Sequence, residues 1–174
     1  MSFPKKVLLV GCGHIGLKHL NCLLRLKNYF IVCGIYEPNI KIQDSIKKEF
    51  KNNKFKFLKN FSDINFNDFD VAIICSPSSL HFSQIKEMYG KLDEIICEKP
   101  LFIDQKDYKE IKKMVLLSKT KITPVLQVRE SSAVNQIKDT MKKKGIPRSI
   151  NLIMPWKRDF DYFNQNKWRG TKDG

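Results

Sequence analysis

Short apolar strands alternating with amphipathic helices predict an α/β protein built on a doubly wound parallel sheet. Three observations carry that prediction. The apolar run Val7–Val10 passes directly into Gly11-Cys12-Gly13-His14-Ile15-Gly16 and then into a segment whose apolar residues recur at helical spacing. The segment Asp70–Cys75 (DVAIIC) is apolar from its second residue onward, as a strand covered on both faces of a parallel sheet must be. Strand and helix patterns then keep alternating as far as Val128, which is the rhythm of consecutive βαβ units.

Taken in order, Val7–Val10 is predicted to be a strand and His14–Leu26 a helix, with Ile15, His19, Leu20, Leu23 and Leu24 forming its apolar stripe. Phe30–Tyr36 reads as the second strand, Ile40–Lys51 as a lysine-studded amphipathic helix, and Lys54–Leu58 as a short third strand. After Asp70–Cys75, Ser79 is positioned to cap a helix over Leu80–Tyr89, because a hydroxyl can accept from the unpaired first-turn N–H groups. Glu94–Cys97 is the fifth strand, Asp104 caps a helix over Gln105–Ser118, and Ile122–Val128 is a sixth strand interrupted by Pro124. Beyond Val128 the rhythm changes: a helix over Ser132–Lys144 stops at Gly145, a strand over Arg148–Pro155 is expected, and an aromatic-rich irregular stretch follows. Residues 1–128 are therefore expected to form one domain and residues 129–174 the beginning of a second, α+β, domain that is cut short.

The glycine-rich turn has the surroundings that a dinucleotide site requires: a strand before it, a helix after it, and an acid, Glu37, at the end of the next strand, 21 residues beyond Gly16. Gly11 allows the tight turn, Gly13 lets the backbone approach a pyrophosphate, and Gly16 lets helix and strand pack closely. The backbone N–H groups of His14 and Ile15 then face an anion at the positive end of the helix. Glu37 is placed to accept from the adenosine ribose hydroxyls and to repel a 2′-phosphate. No arginine follows it closely, so the expected cofactor is NAD rather than NADP. A plain surface acid at a strand end is the competing account of Glu37.

Composition narrows the function classes. A chain of 174 residues holds one domain, or one domain and part of another. The longest apolar run is too short to span a bilayer and the N-terminus lacks the apolar core of a signal peptide, so the chain reads as cytoplasmic and without a membrane partner. Five cysteines, with no CxxC and no zinc-type Cys/His spacing, read as free core thiols; no metal site is expected. The net charge of +14 invites a nucleic-acid reading, yet 27 of the 32 cations are lysines scattered over every helix. Planar, bidentate recognition prefers arginine, and no basic stripe interleaved with aromatics appears, so no nucleic-acid partner is expected.

Four motifs in order, GCGHIGLKHLNCL, DVAIICSPSSLH, ICEKPL and YFNQNKWRGTKDG, resemble the glucose–fructose oxidoreductase / inositol dehydrogenase family, Gfo/Idh/MocA. The resemblance runs over nearly the whole chain. It implies an N-terminal Rossmann domain, a C-terminal open-sheet domain that also supports homo-oligomers, and NAD(P)-dependent oxidation or reduction at a sugar, nucleotide-sugar or cyclitol carbon.

The resemblance also assigns roles. Lys99 of the Glu98-Lys99-Pro100 signature would contact the reacting hydroxyl. At the C-terminal end of a strand it stands where open α/β sheets gather ligands. A lysine bonded to that hydroxyl can stabilise alkoxide character or relay its proton, an effect of roughly 10²–10⁴ in rate. Ser76, Pro77, His81, Glu98 and Gln127 would lie along the cofactor, with a purely structural His81 equally open. Arg129, Trp168 and Arg169 would reach the substrate. The Asp/His pair that family enzymes carry further downstream lies beyond residue 174. The chain is therefore expected to be a fragment, a split protein or a truncated form, binding cofactor but turning over little alone. A dinucleotide-binding regulator of the same fold is the alternative, and Lys99, for which a sensor has no need, favours the enzyme.

Overall fold

A computed structural model describes residues 4–53 and 55–149, together with residues 151, 153, 155, 157 and 160. The chain divides into two compact units, Met1–Val125 and Leu126–Gly174.

In the first unit, six strands form one parallel sheet: β1 (Lys5–Val10), β2 (Phe30–Tyr36), β3 (Phe57–Leu58), β4 (Val71–Ile74), β5 (Glu94–Cys97) and β6 (Lys121–Pro124), in the order β3-β2-β1-β4-β5-β6. The connecting helices are α1 (His14–Arg25), α2 (Ile40–Glu49), α3 (Ser78–Met88) and α4 (Gln105–Leu117). Strand alternation divides the core in two. Val7, Leu9, Val71 and Ile73 point to one side, where Leu20 and Leu23 of α1 and Ile46 of α2 cover them. Leu8, Val10, Ala72 and Ile74 point to the other, against Ile85 and Met88 of α3 and Ile111 of α4. A strand segment buried on both faces gains nothing from a polar alternation, which is why Val7–Val10 of β1 and all of β4 are continuously apolar. The sheet order reverses between β1 and β4, and the crevice outside the strand ends at such a reversal is where open α/β sheets bind ligands.

Several boundaries differ from expectation. The third strand is only two residues long, and two 3-10 turns, Phe61–Asp63 and Phe66–Asp68, lead into β4 and bring Phe66 into the core. Helix α3 begins at Ser78 after Pro77, with no side-chain cap, so Ser79 is not the cap. The sixth strand ends at Pro124 on the open edge of the sheet, although the Val125 N–H still donates to the Cys97 carbonyl. Gln127 and Arg129, expected at its end, lie instead in a 3-10 turn, Gln127–Glu130, at the start of the second unit, and both are exposed.

In the second unit, α5 (Ser132–Lys144) is capped by the Ser131 hydroxyl accepting from the Val134 N–H and ends at Gly145, whose φ of 84° is a left-handed stop suited to glycine. The strand expected over Arg148–Pro155 is not formed at the described residues of that stretch. Trp168 and Arg169 lie outside the described residues.

Candidate dinucleotide and hydride-transfer site

Three chain segments meet at the C-terminal edge of the central strands: the turn after β1, the loop after β4 and the loop after β5. The turn after β1 needs its glycines for separate reasons. Gly11 has φ 81°, and a Cβ there would stand 2.7 Å from the Ser76 backbone nitrogen. A Cβ on Gly16 would run into the Gly11 carbonyl, so Gly16 is what lets α1 start hard against the turn. Gly13 differs. A Cβ there meets no atom within 4 Å, so nothing in the fold demands glycine at that position.

Gly13 is the N-cap of α1. The first turn of α1 has no side-chain cap and no acidic residue, as is true also of α3, whereas Asn39, Asp104 and Ser131 each cap their own helix. The N–H groups of His14, Ile15 and Gly16 open the helix, Leu17 being the first residue bonded back to Gly13. The His14 and Ile15 side chains are turned to solvent. Open space over a glycine, three helix-opening donors and no competing acceptor fit a pyrophosphate.

Glu37 closes β2 and is buried, at 5 % exposure. One carboxylate oxygen accepts from the Cys12 N–H at 2.7 Å and the other from the Asn39 N–H at 2.9 Å. The Gln43 amide donates to the Glu37 carbonyl. The carboxylate therefore ties the glycine turn to the β2–α2 loop and is no plain surface acid. Each oxygen keeps a further lone pair. Burial, and next the Glu37 charge, push the Cys12 thiol up to about 12, so this cysteine is a packing group rather than a nucleophile.

On the far side of the crevice, Ser76 is held to α3 twice: its hydroxyl donates to Gln84 Oε1 at 2.6 Å and its carbonyl lies 2.8 Å from His81 Nε2. After β5, Glu98 Oε1 is 2.9 Å from His19 Nε2. That hydrogen bond, reinforced by the His19 charge and by the Lys99 backbone, holds the Glu98 carboxyl below its ordinary range despite partial burial. Lys99 itself is exposed beside it, and Lys99–Pro100 is a cis peptide.

Residues 5–128 match the model of the GFO_IDH_MocA oxidoreductase family, described as its NAD-binding Rossmann fold. The chain belongs to that family. Its curated relatives include the glucose-6-phosphate 3-dehydrogenase of Bacillus subtilis, 23% identical over 155 residues that cover 89% of this chain and 43% of the relative. Among solved structures, the WlbA dehydrogenase of Chromobacterium violaceum, in complex with NADH and UDP-GlcNAcA, superposes with a TM-score of 0.83 at 23% identity, covering 99% of this chain and 50% of that one. The myo-inositol 2-dehydrogenase of Lactobacillus plantarum gives 0.70 at 19%, covering 80% and 41%. At these identities the structures speak for the fold. The chain spans half or less of the length of these Gfo/Idh/MocA relatives.

Within this Gfo/Idh/MocA domain the structure brings together Gly11, Gly13, His14, Ile15, Gly16, Glu37, Ser76, Pro77, Glu98 and Lys99 along one edge of the sheet. It revises His81. That ring is 1 % exposed, with each nitrogen against a backbone carbonyl, Pro100 O at 2.7 Å and Ser76 O at 2.8 Å, so it has no free nitrogen to offer a cofactor. The sequence places His19 only in the apolar stripe of α1. Its pairing with Glu98 spans 79 residues of sequence, and no local spacing signals it. Gln84 does leave a signal: it follows His81 by three residues and so shares its inward helix face. Among the described residues no group of three or more His, Cys, Asp or Glu side chains could hold a metal ion, and no helix is long and apolar enough to cross a membrane.

Proposed function

We propose that this chain is the cofactor half of an NAD-dependent dehydrogenase acting on a secondary alcohol of a sugar, nucleotide sugar or cyclitol. The observation that carries the proposal is the juxtaposition of the open first turn of α1, over Gly13, with the exposed Lys99 on the same sheet edge. NAD supplies a hydride acceptor. The residues of the chain supply the rest. The N–H groups of His14, Ile15 and Gly16 receive the pyrophosphate, and Glu37 faces the ribose end with its remaining lone pairs and disfavours a 2′-phosphate. Lys99 would bond the reacting hydroxyl and stabilise negative charge on its oxygen.

Relatives named for glucose 6-phosphate, a UDP-sugar acid and inositol support a polyhydroxylated substrate. By the family resemblance, Gln127 is assigned to the cofactor, Arg129, Trp168 and Arg169 to the substrate, and the working protein to a homo-oligomer.

The test is turnover of sugars, nucleotide sugars and cyclitols by the full-length protein. Lys99→Met is expected to lower kcat by roughly 10²–10⁴ while leaving the NADH Kd within about threefold. Unchanged turnover would remove Lys99 from the chemistry.

A further inference from the structure

Lys99 is aimed by its backbone rather than by a partner of its own. Its side chain is exposed, and among the described residues no hydrogen bond or ion pair holds its ammonium. The residue before it is anchored twice. The Glu98 N–H donates to the Ile74 carbonyl at 2.9 Å, which fixes the end of β5 to β4. The Glu98 carboxylate, which can only accept, takes a hydrogen bond from His19 Nε2 at 2.9 Å. These two side chains are 22% and 16% exposed, so water competes weakly for either end.

His19 follows Gly16 by three residues, one turn along the helix whose opening N–H groups face the pyrophosphate space. The helix that receives the cofactor therefore also grips the residue beside Lys99. Besides His19, the group whose charge bears on the Glu98 carboxylate is Lys99. A partly buried carboxylate that loses its donor takes the next one available. Here that donor is the ammonium needed at the reacting hydroxyl.

We propose that His19 is a positioning residue, whose hydrogen bond keeps the Glu98 carboxylate off the Lys99 ammonium and holds the strand-end segment that aims Lys99. It rests on the role of Lys99 proposed above. His19 touches neither the hydride nor the alcohol and acts only through Glu98, 79 residues away in sequence.

The experiment measures turnover, NADH affinity and exchange on His19 variants. In the full-length protein, His19→Leu fills the same space without a donor and is expected to lower kcat roughly 10–100-fold with the NADH Kd within about threefold. A general loosening of the fold would weaken NADH binding as well. His19→Gln keeps an N–H that can reach Glu98 and is expected to restore kcat to within about fivefold of wild type. His19→Asn is polar but too short to reach and should behave as the leucine variant does, so the comparison stands even if His19→Leu fails to fold. Turnover of both His19→Leu and His19→Asn within about threefold of wild type overturns the proposal, as does His19→Gln no better than they are.

A second readout needs neither NAD nor substrate. At one fixed pH, amide exchange at residues 98 and 99 should quicken roughly tenfold in the leucine and asparagine variants but not in His19→Gln. Exchange unchanged in all three also overturns it. The two readings separate cleanly. A defective Lys99→Met beside a fully active His19→Leu sinks this inference alone, whereas a fully active Lys99→Met removes the role of Lys99 and this inference with it.

Discussion

Replacing Gly13 by valine separates ligand binding from folding at this site. A Cβ at Gly13 touches nothing, and its backbone, φ −66° and ψ −159°, is open to any L residue. The cost to the fold is the poorer capping tendency of valine at the N-cap, about 1 kcal/mol, or roughly 2–4 °C in Tm for a chain of this size. The space the side chain fills is the approach to the first turn of α1. Displacing a pyrophosphate from two of the three N–H groups there forfeits charge-assisted bonds of about 1.5–3 kcal/mol each. The combined loss, about 3–6 kcal/mol, is roughly 10²–10⁴ in Kd. Gly16→Ala is the contrasting perturbation. Its Cβ runs into the Gly11 carbonyl, α1 must lift from the turn, and stability falls by about 1–3 kcal/mol. NADH titration by calorimetry and thermal unfolding, run on both variants, give the answer. NADH binding by Gly13→Val within about threefold of wild type, or a loss of stability as large as that of Gly16→Ala, would refute the assignment of the space over Gly13 to the pyrophosphate.

Three further outcomes follow from the same geometry. Glu37→Ser removes the acceptors of the Cys12 and Asn39 N–H groups, so it should cost about 1–3 kcal/mol in urea unfolding and lower the preference for NADH over NADPH roughly tenfold; a wild type that already prefers NADPH would contradict the role of Glu37. Glu98 is held below its ordinary value of 4.5 chiefly by His19, so its contribution to stability is present above that value and disappears as pH falls through the folded one. Glu98→Gln should accordingly flatten the loss of urea midpoint between pH 6 and pH 3, and an unaltered acid profile would show the pair to be inconsequential. Of the five thiols only Cys22 is exposed, whereas burial pushes Cys12 and Cys97 up to about 12, so a disulfide reagent at pH 8 should label Cys22 first and those two only on unfolding.

The sheet and the glycine turn were legible in the sequence because both rest on local rules. A strand segment buried on both faces must be apolar, as Val7–Val10 of β1 and all of β4 are, and a helix whose first turn lies in hard contact with the preceding loop needs glycine there, as α1 has at Gly16. The sixth strand was legible as well, although it ends at Pro124 rather than continuing to Val128.

Tertiary structure alone decided what the polar side chains do. Glu37 was placed correctly at the end of β2, but only the fold shows its oxygens bonded to Cys12 and Asn39. His19 meets Glu98, and His81 meets Ser76 and Pro100, because α1 and α3 lie on opposite faces of the sheet and converge on one edge of it. Apolar patterning is repeated along the chain and can be read from its period. A single hydrogen bond between distant residues has no period, and it comes into being only when the packed core brings its two ends within three ångströms.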